Sequence, residues 1–594
     1  MRARAVARWI ASAALLLFAP ASIAVGDYRT TDVQSLRITI DSDWPTRTAP
    51  GYIPVRVDIT NLGDPRVIEI VVEGIRFDRS MRTGPAQIRI RQALRLARLD
   101  HVRVTIPIPV SAEYENYQFQ IHEDGRLLDR FGSANYQSTA AAVDAAALIV
   151  ADTRTSFGKM ATALPRPLTA RGTSLAGAGS STTRSTAAGR MPPLDLVLEP
   201  ARLPTTWLGY TSLRAVVIGA DEWTQLEDAQ KGALLTWTAC GGDLIVVDGA
   251  AEALVGGGHR TQEITADGPA RGYFFGRAYR RSSSSIAAAG LAAALAEAAK
   301  YQDADWALPA NRWSQWSVIT ARGFRLPIPG VAHVPVRAYL GILLAFSILV
   351  GPVNYLLLSR KRRQVLFVLT APLISALFIV VLGGYVLVIE GLRVSARAES
   401  FTILDQAHRQ AVTRVTGSLY AAGMTPGGGL QFPRDVAVYA PGNRESQEID
   451  LTEAQRFASG LIRARAPINL EQIAFRAARE RLTITAGAGG LSVVNGLGAI
   501  IKSLVFRTGG RIYALSEPLA AGASSLLKPG APVGATFLPT DLPRSSRFAH
   551  LVDHLPEGAY FAVLEHSPFW DPGVNGTLEQ ASFHGVLGWV DGQP

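Results

Sequence analysis

Residue types that carry nucleophilic, metal or phosphate chemistry are sparse in this chain of 594 residues. The single cysteine, Cys240, excludes an intramolecular disulfide and any cysteine-based metal cluster. The glycine runs at 427–429 and 487–490 are not followed by the lysine and hydroxyl residue of a phosphate-binding loop. We therefore predict no nucleotide cofactor.

One histidine pair has the spacing of a metal site. His550 and His554 would lie on the same face of a helix, as zinc-binding histidines do. Three candidate ligands follow downstream: Glu565, His566 and Asp571. However, Leu551 stands where a zincin has its general-base glutamate, and Pro556 would end the helix. We predict no metal site.

The positive net charge indicates membrane topology rather than nucleic-acid binding. Lys and Arg number 59 against 49 for Asp and Glu, which gives +10, while charged residues make up only 18% of the chain. Seven cations account for most of this excess, at two places: Arg2, Arg4 and Arg8, and the run Arg360 to Arg363. Membrane-targeting segments concentrate cations in this way. We expect a membrane and protein partners, but no nucleic acid.

Residues 1–24 have the pattern of a secretory signal peptide. A cationic start precedes a short apolar stretch, and Ser22-Ile23-Ala24 provides small residues for cleavage after Ala24. The alternative is an uncleaved N-terminal anchor, although the stretch is short for about 30 Å of hydrocarbon.

Two later segments, 337–359 and 365–389, are long and apolar enough to span a membrane. The short loop between them, 359–364, contains four cations and is therefore predicted to be cytoplasmic. Both large portions would then be extracytoplasmic on a bacterial inner membrane. Gly351-Pro352 and Ala371-Pro372 interrupt the spans, and we read them as kinks in an anchor rather than as a transport pathway. Four aromatic residues precede the first span, where they fit an interfacial belt or a domain core equally well: Trp306, Trp313, Trp316 and Phe324.

Hydrophobic periodicity divides the remainder into three units. Short alternating runs in 27–135 predict an immunoglobulin-like β-sandwich. Continuous apolar runs alternating with helical segments in 140–325 predict a doubly wound α/β domain with a flexible loop at 166–193. Residues 390–594 predict a mainly β domain. The predicted helices are Leu226–Thr238, Ser285–Lys300 and a short one at Glu453–Ala464.

Residues 203–249, LPTTWLGYTSLRAVVIGADEWTQLEDAQKGALLTWTACGGDLIVVDG, resemble an uncharacterised class of bacterial envelope proteins. In this class, an extracytoplasmic domain like a class I glutamine amidotransferase precedes a membrane hairpin. GPVNYLLLSRKRR (351–363) and VVNGLGAIIKSLVFRTGGRIYAL (493–515) are similar to the hairpin and the last domain of the same class. The resemblance covers roughly residues 140–594 and implies an accessory role in an envelope or ABC-transport complex.

An amidotransferase of this class needs a cysteine in the elbow after a strand. Here the elbow reads Asp248-Gly249-Ala250-Ala251-Glu252, and Cys240 precedes the strand, where a buried structural residue is expected. His259, after a glycine run, is then a surface residue rather than a remaining base. We therefore predict no catalytic residues.

The sequence favours a non-catalytic, membrane-anchored binding or scaffold protein. The alternative is an extracytoplasmic hydrolase or amidase with an unrecognised active site. Because the tight turn places the spans side by side, we also expect the portions before and after the hairpin to dock on each other.

Overall fold

The structure of the chain is a computed structural model. It describes the following residues: 28–45, 47–48, 51–77, 86–110, 114–138, 147–163, 196–213, 215–249, 270–284, 286, 326–329, 336–360, 364–390, 393–422, 427–440, 443, 445–487, 490–530 and 555–590. The predicted signal peptide, the loop at 166–193, the helix at 285–300 except Ile286, and the aromatic residues before the first span lie outside the described residues.

The N-terminal portion consists of strands. In chain order they are β1 (Tyr28–Val33), β2 (Leu36–Asp41), β3 (Arg47–Thr48), β4 (Gly51–Asn61), β5 (Arg66–Phe77), β6 (Ala86–Leu96), β7 (His101–Val110), β8 (Tyr114–Glu123) and β9 (Arg126–Ser138). A four-stranded sheet has the order β1-β2-β4-β7, and β6-β5-β8-β9-β3 belong to a second sheet. Alternate residues of β2 and β6 are buried, as in a sheet with one face on a core. The predicted N-terminal β unit is confirmed.

The next portion contains a mostly parallel sheet. Its elements are β10 (Ala147–Val150), α1 (Ser156–Ala163), β11 (Leu196–Leu198), β12 (Ala215–Gly219), α2 (Ala220–Gln225), α3 (Asp228–Ala239), β13 (Asp243–Val247), β14 (Ala270–Tyr273) and β15 (Gly276–Arg281). The sheet order is β11-β10-β12-β13-β15-β14, with only β14 antiparallel among the described strands. Every residue of β10, β12 and β13 is buried, which explains their continuous apolar runs. The predicted helix at 226–238 corresponds to α3, which begins with a capping box between Glu227 and Gln230.

Two apolar helices form a hairpin. The first comprises α4 (Val336–Ile348), a π-helical turn at Leu349–Val353 around Pro352, and α5 (Asn354–Arg360); the second is α6 (Phe367–Glu390). Both are long and apolar enough to cross a membrane. Asn354 Nδ2 donates a 2.9 Å hydrogen bond to Thr370 Oγ1, and the rings of Phe346 and Phe378 are 4.7 Å apart. The helices therefore lie side by side, as predicted.

The C-terminal portion is mainly β. Its strands are β16 (Val394–Asp405), β17 (Gln410–Ala421), β18 (Leu430–Phe432), β19 (Val436–Tyr439), β20 (Gln447–Asp450), β21 (Gln455–Ser459), β22 (Ile468–Ala477), β23 (Arg481–Gly487), β24 (Gly490–Gly496), β25 (Ile501–Thr508), β26 (Arg511–Ala514), β27 (Ser524–Pro529), β28 (Ala559–Leu564), β29 (Leu578–Glu579) and β30 (Phe583–Trp589). A large sheet has the order β19-β22-β17-β16-β30-β28-β25-β26-β27-β24-β23, with β29 beside β16.

The predicted helix at Glu453–Ala464 is wrong, because Gln455–Ser459 forms strand β21. This strand pairs with β20 on one side and β18 on the other. Gln455 and Phe457 are buried two residues apart, and tertiary pairing of this kind overrides local helix propensity.

One sheet joins the two ends of the chain. Strands β18, β21 and β20 extend the N-terminal sheet beyond β6, with β20 parallel to β6 and Glu448 opposite Arg89. On the exposed face, Arg91 lies 3.6 Å from Glu448 and 3.5 Å from Asp450. The C-terminal portion therefore completes an N-terminal sheet.

The parallel-sheet portion docks on both β portions. The backbone N–H of Tyr52 in β4 donates to Thr211 Oγ1 at 2.8 Å, and Trp207 Nε1 donates to Asp435 O at 2.8 Å. The rings of Phe275 and Phe401 are 6.0 Å apart in an edge-on arrangement. A single cluster of buried apolar residues includes members of all three portions. The predicted docking of the portions before and after the hairpin is confirmed.

Candidate binding site at the carboxyl edge of the parallel sheet

The strand order of the parallel sheet reverses at β10. The next strand in sequence, β11, lies on one side of β10, whereas β12 lies on the other. In open α/β sheets, ligands bind in the crevice that such a reversal opens at the carboxyl ends of the strands. The residues that follow β10 and β12 are therefore the candidate site.

Asp152 and Arg154 form an ion pair on the loop after β10. Arg154 donates to both carboxylate oxygens of Asp152, from Nε at 3.0 and 3.1 Å and from Nη2 at 2.8 Å. These hydrogen bonds hold the pKa of Asp152 below its ordinary value. The Asp152 side chain is only 10% exposed, whereas that of Arg154 is 85% exposed. The pair therefore presents a fixed guanidinium to solvent.

Glu222 connects helix α2 to the loop after β10. It belongs to α2, directly after β12, and is fully buried. Its Oε1 accepts hydrogen bonds from the Thr155 hydroxyl and from the Asp152 backbone N–H at 3.2 Å. Its Oε2 has no hydrogen-bond partner among the described residues. The carboxyl group thus ties the loop after β10 to the end of β12.

Two glycines allow this close approach of backbone and side chain. A Cβ on Gly219 would lie 2.1 Å from Glu222 Oε2, and a Cβ on Gly158 would lie 1.7 Å from Asp152 O. Gly158 is in the first turn of α1, and its N–H donates to Thr155 Oγ1 at 2.9 Å. The crevice is therefore bordered by a helix N-terminus, a buried carboxyl group and an exposed guanidinium, an arrangement suited to binding polar or charged ligands.

The predicted elbow after β13 is a tight turn. Asp248 has a left-handed φ of 57°. Its Oδ1 accepts a 2.8 Å hydrogen bond from the Ser283 backbone N–H, and its own N–H donates to Arg281 O at 2.9 Å. The carboxylate thus ties this turn to the loop after β15. Ala250, Ala251, Glu252 and His259 lie outside the described residues.

Cys240 is buried at the end of α3, as predicted, and is 4% exposed. Burial raises the pKa of its thiol far above the ordinary value. Its carbonyl oxygen accepts a 2.7 Å hydrogen bond from Arg414 Nη2. Cys240 therefore lies at the junction with β17 and not in the crevice.

The other sequence candidates lie partly outside the described residues. His550 and His554 lie outside the described residues, and no group of three metal-ligating side chains occurs within the described ones. Of the glycine runs, Gly429 has a φ of 73°, and a Cβ there would lie 1.9 Å from Phe457 O, so it forms a tight turn beside β21.

The sequence did not predict one buried series of hydrogen-bonded side chains. Ser400 Oγ is 2.6 Å from His584 Nδ1, and His584 Nε2 is hydrogen-bonded to Glu579 Oε1. Ser400 and His584 lie opposite each other on the neighbouring strands β16 and β30. Because they are 184 residues apart in sequence, they belong to no local sequence motif. Ser400 is 1% exposed and His584 is fully buried. The residue types are those of a hydrolase triad, but the hydroxyl lies inside the sheet.

Comparisons with known proteins assign no family to the chain. No family model matches it, and no curated protein matches it. A solved structure of a Bordetella pertussis protein assigned as ApaA is similar at 17% sequence identity, over 18% of this chain and 94% of that chain, with a TM-score of 0.12. A likeness of this size carries no argument about fold or function.

Proposed function

We propose that this protein is a non-catalytic, membrane-anchored binding or scaffold protein of the bacterial cell envelope. The observation that carries the proposal is the pairing of β20 with β6. Strands from before and after the hairpin share one sheet, which supports placing both large portions on the same side of the membrane. The cations at 360–363 favour the cytoplasmic side for the turn, which makes the docked body extracytoplasmic.

The crevice after β10 and β12 is the proposed binding site of this body. Arg154 supplies an exposed guanidinium that Asp152 holds in position. The turn at Asp248 stands where a glutamine amidotransferase has its nucleophile elbow. Here the Asp248 carboxylate accepts a hydrogen bond from a neighbouring loop, which favours a structural role for this turn over a catalytic one. Binding by such a domain needs no catalytic group.

Capture of the intact protein in mild detergent tests this function. Wild type, Arg154→Glu and a control variant, Arg37→Glu, are compared, since Arg37 is also an exposed arginine paired with a nearby aspartate. The proposal predicts an envelope partner that is recovered with wild type and Arg37→Glu but lost with Arg154→Glu. Equal recovery with all three proteins would contradict a role for the crevice.

Ser400, His584 and Glu579 favour one alternative function, an extracytoplasmic hydrolase with a buried serine nucleophile. Because Ser400 lies inside the sheet, we expect no labelling of the folded protein by a fluorophosphonate probe. Labelling of wild type that is lost in Ser400→Ala would establish the hydrolase instead.

A further inference from the structure

Strand β23 is the last strand of the large sheet, and β24 is its one neighbour among the described strands. On its other side, the Leu482 N–H donates to Gln406 Oε1 at 2.6 Å, and Gln406 Nε2 donates to Leu482 O at 3.2 Å. The Tyr560 hydroxyl donates to the same Oε1 atom at 2.8 Å and so holds Gln406 in place. The Gln406 amide therefore occupies the position of a neighbouring strand at Leu482.

The remainder of this edge is open. In an antiparallel strand, the N–H and C=O of one residue point to the same side, and the side alternates along the strand. Since the backbone groups of Leu482 point away from β24, those of Ile484 and Ala486 point away from it too. Within the described residues, neither Ile484 nor Ala486 has a backbone partner on that side. Two residues of β23 are therefore free to pair with another strand.

This edge has none of the features with which proteins prevent strand addition, namely charges, prolines and bulges. Residues 482–487 read Leu-Thr-Ile-Thr-Ala-Gly, without a charge or a proline. The register with β24 runs from Arg481 to Gly487 without a bulge. Thr485 and Ala486 are exposed. The edge is therefore a template for an added strand.

The solvent side of the sheet beside this edge is uncharged over two rows of residues. Each row crosses β23, β24 and β27; the rows are Thr485, Ser492 and Leu526, and Thr483, Val494 and Ser524. Leu526 is 53% exposed and Val494 is 41% exposed. The nearest charges, Arg481 and Lys528, lie one row beyond at either end. An added strand would continue these rows and meet hydroxyl and aliphatic groups.

We propose that β23 binds an extended segment of a partner protein as an additional strand, and that this segment carries hydroxyl and aliphatic side chains. Backbone hydrogen bonds to Ile484 and Ala486 provide the attachment, and the side-chain rows provide selectivity. Because Gln406 leaves only these two outward residues open, the edge suits a short segment better than the seven-residue β23 of a second copy. The surface depends neither on the crevice at Arg154 nor on the membrane anchoring.

Peptide binding by the full-length protein in non-ionic detergent tests the proposal. The probe is a fluorescent peptide of alternating threonine and valine, TVTVTV, and fluorescence anisotropy measures its binding; TKTKTK is the charged comparison. The test variant, Ala486→Pro, removes an outward N–H that does not pair with β24, a change that an edge strand tolerates. Ala486→Ser keeps this N–H and is the matched control. Thermal unfolding of each variant checks that the fold is intact.

Wild type and Ala486→Ser are expected to bind TVTVTV equally and to bind TKTKTK more weakly. Ala486→Pro should bind TVTVTV about five-fold more weakly, as for the loss of one hydrogen bond. Hydrogen exchange of residues 481–487 should slow when the peptide binds to wild type.

Three results would overturn the proposal. One is no binding of TVTVTV by wild type, or equal binding by Ala486→Pro. Another is slow exchange at Ile484 and Ala486 before peptide is added, which would show that another part of this chain covers the edge. The third is a dimer in native mass spectrometry that Ala486→Pro abolishes, which would identify a second copy as the occupant. Binding of TKTKTK as tight as that of TVTVTV would refute the stated side-chain preference.

Discussion

Nη2 of Arg414 donates a 2.7 Å hydrogen bond to the main-chain carbonyl oxygen of Cys240. Arg414 belongs to β17, after the membrane hairpin, and Cys240 ends α3, before it. The guanidinium also lies over the ring of Phe275, 4.8 Å from its centroid. Arg414 is 1% exposed, so a fully buried cation holds the two portions together.

Arg414→Met should weaken this junction. The substitution leaves the Cys240 carbonyl without this buried donor, which should lower the free energy of unfolding by about 2 kcal/mol. Denaturant unfolding in detergent is the measurement. Arg409→Met, at the exposed turn before β17, is the control and should change the free energy by less than about 0.5 kcal/mol. Equal effects of the two substitutions would show that the junction contributes little.

Cys240→Ala should cost only about 1 kcal/mol, because a small buried side chain is replaced by a smaller one. The wild-type thiol should react with a thiol reagent only after unfolding, since burial raises its pKa. Fast labelling of the folded protein would contradict a structural role.

The same thiol predicts a dependence on alkaline pH. Because the pKa of Cys240 is raised in the folded state above its ordinary 9.0, its contribution to stability is complete below pH 9 and is lost as the pH rises further. Wild type should lose about 1.4 kcal/mol more per pH unit above pH 9 than Cys240→Ala does. Parallel stability curves for the two proteins would argue against this burial.

Gly219→Ala should disrupt the candidate site. Its Cβ would lie 2.1 Å from Glu222 Oε2 and 2.8 Å from the ring of Phe157, so we expect a loss of about 2 kcal/mol in thermal unfolding. Gly232→Ala is the matched control, because a Cβ there meets nothing within 4 Å inside helix α3, and it should stabilise the protein by about 0.5–1 kcal/mol. A neutral Gly219→Ala would show that the crevice is open at this point.

Asp41 should make the protein sensitive to acid. Burial opposes its ionisation, but hydrogen bonds from Arg202 and Arg56 prevail and lower its pKa below 3.8. The stability this provides is present above pH 3.8 and is lost as the pH falls through the lower, folded-state pKa. Asp41→Asn should therefore cost about 3 kcal/mol at pH 7 and progressively less as the pH falls below 3.8. Asp32→Asn, in an exposed pair, is the control; a pH-independent cost of Asp41→Asn would contradict the ionised pair.

Much of the local structure was predictable from the sequence, because burial on one or both faces leaves a periodic pattern. The runs around Ile38, Val217 and Ile245 became strands for this reason. The pairing of β20 with β6 was not predictable, because it joins residues more than 350 positions apart through backbone hydrogen bonds that carry no residue code. The hydrogen-bonded series Ser400, His584 and Glu579 was not predictable either, because Ser400 and His584 lie 184 positions apart in sequence.

The candidate site was only partly predictable. The turn at Asp248 was recognisable because it follows a buried apolar strand. Asp152 and Glu222 were not singled out, since their role depends on which strands neighbour β10. A strand order cannot be read from the periodicity of the separate strands.

An engineered disulfide tests most directly whether both large portions form one body outside the cytoplasm. Arg89 and Glu448 are directly paired across β6 and β20, at a spacing of about 4.8 Å that a disulfide can bridge. In a Cys240→Ala background, Arg89→Cys/Glu448→Cys should form a disulfide in living cells without added oxidant, because the compartment is oxidising. A pair that stays reduced until oxidant is added would place the body in the cytoplasm, and a pair that never links would contradict the shared sheet.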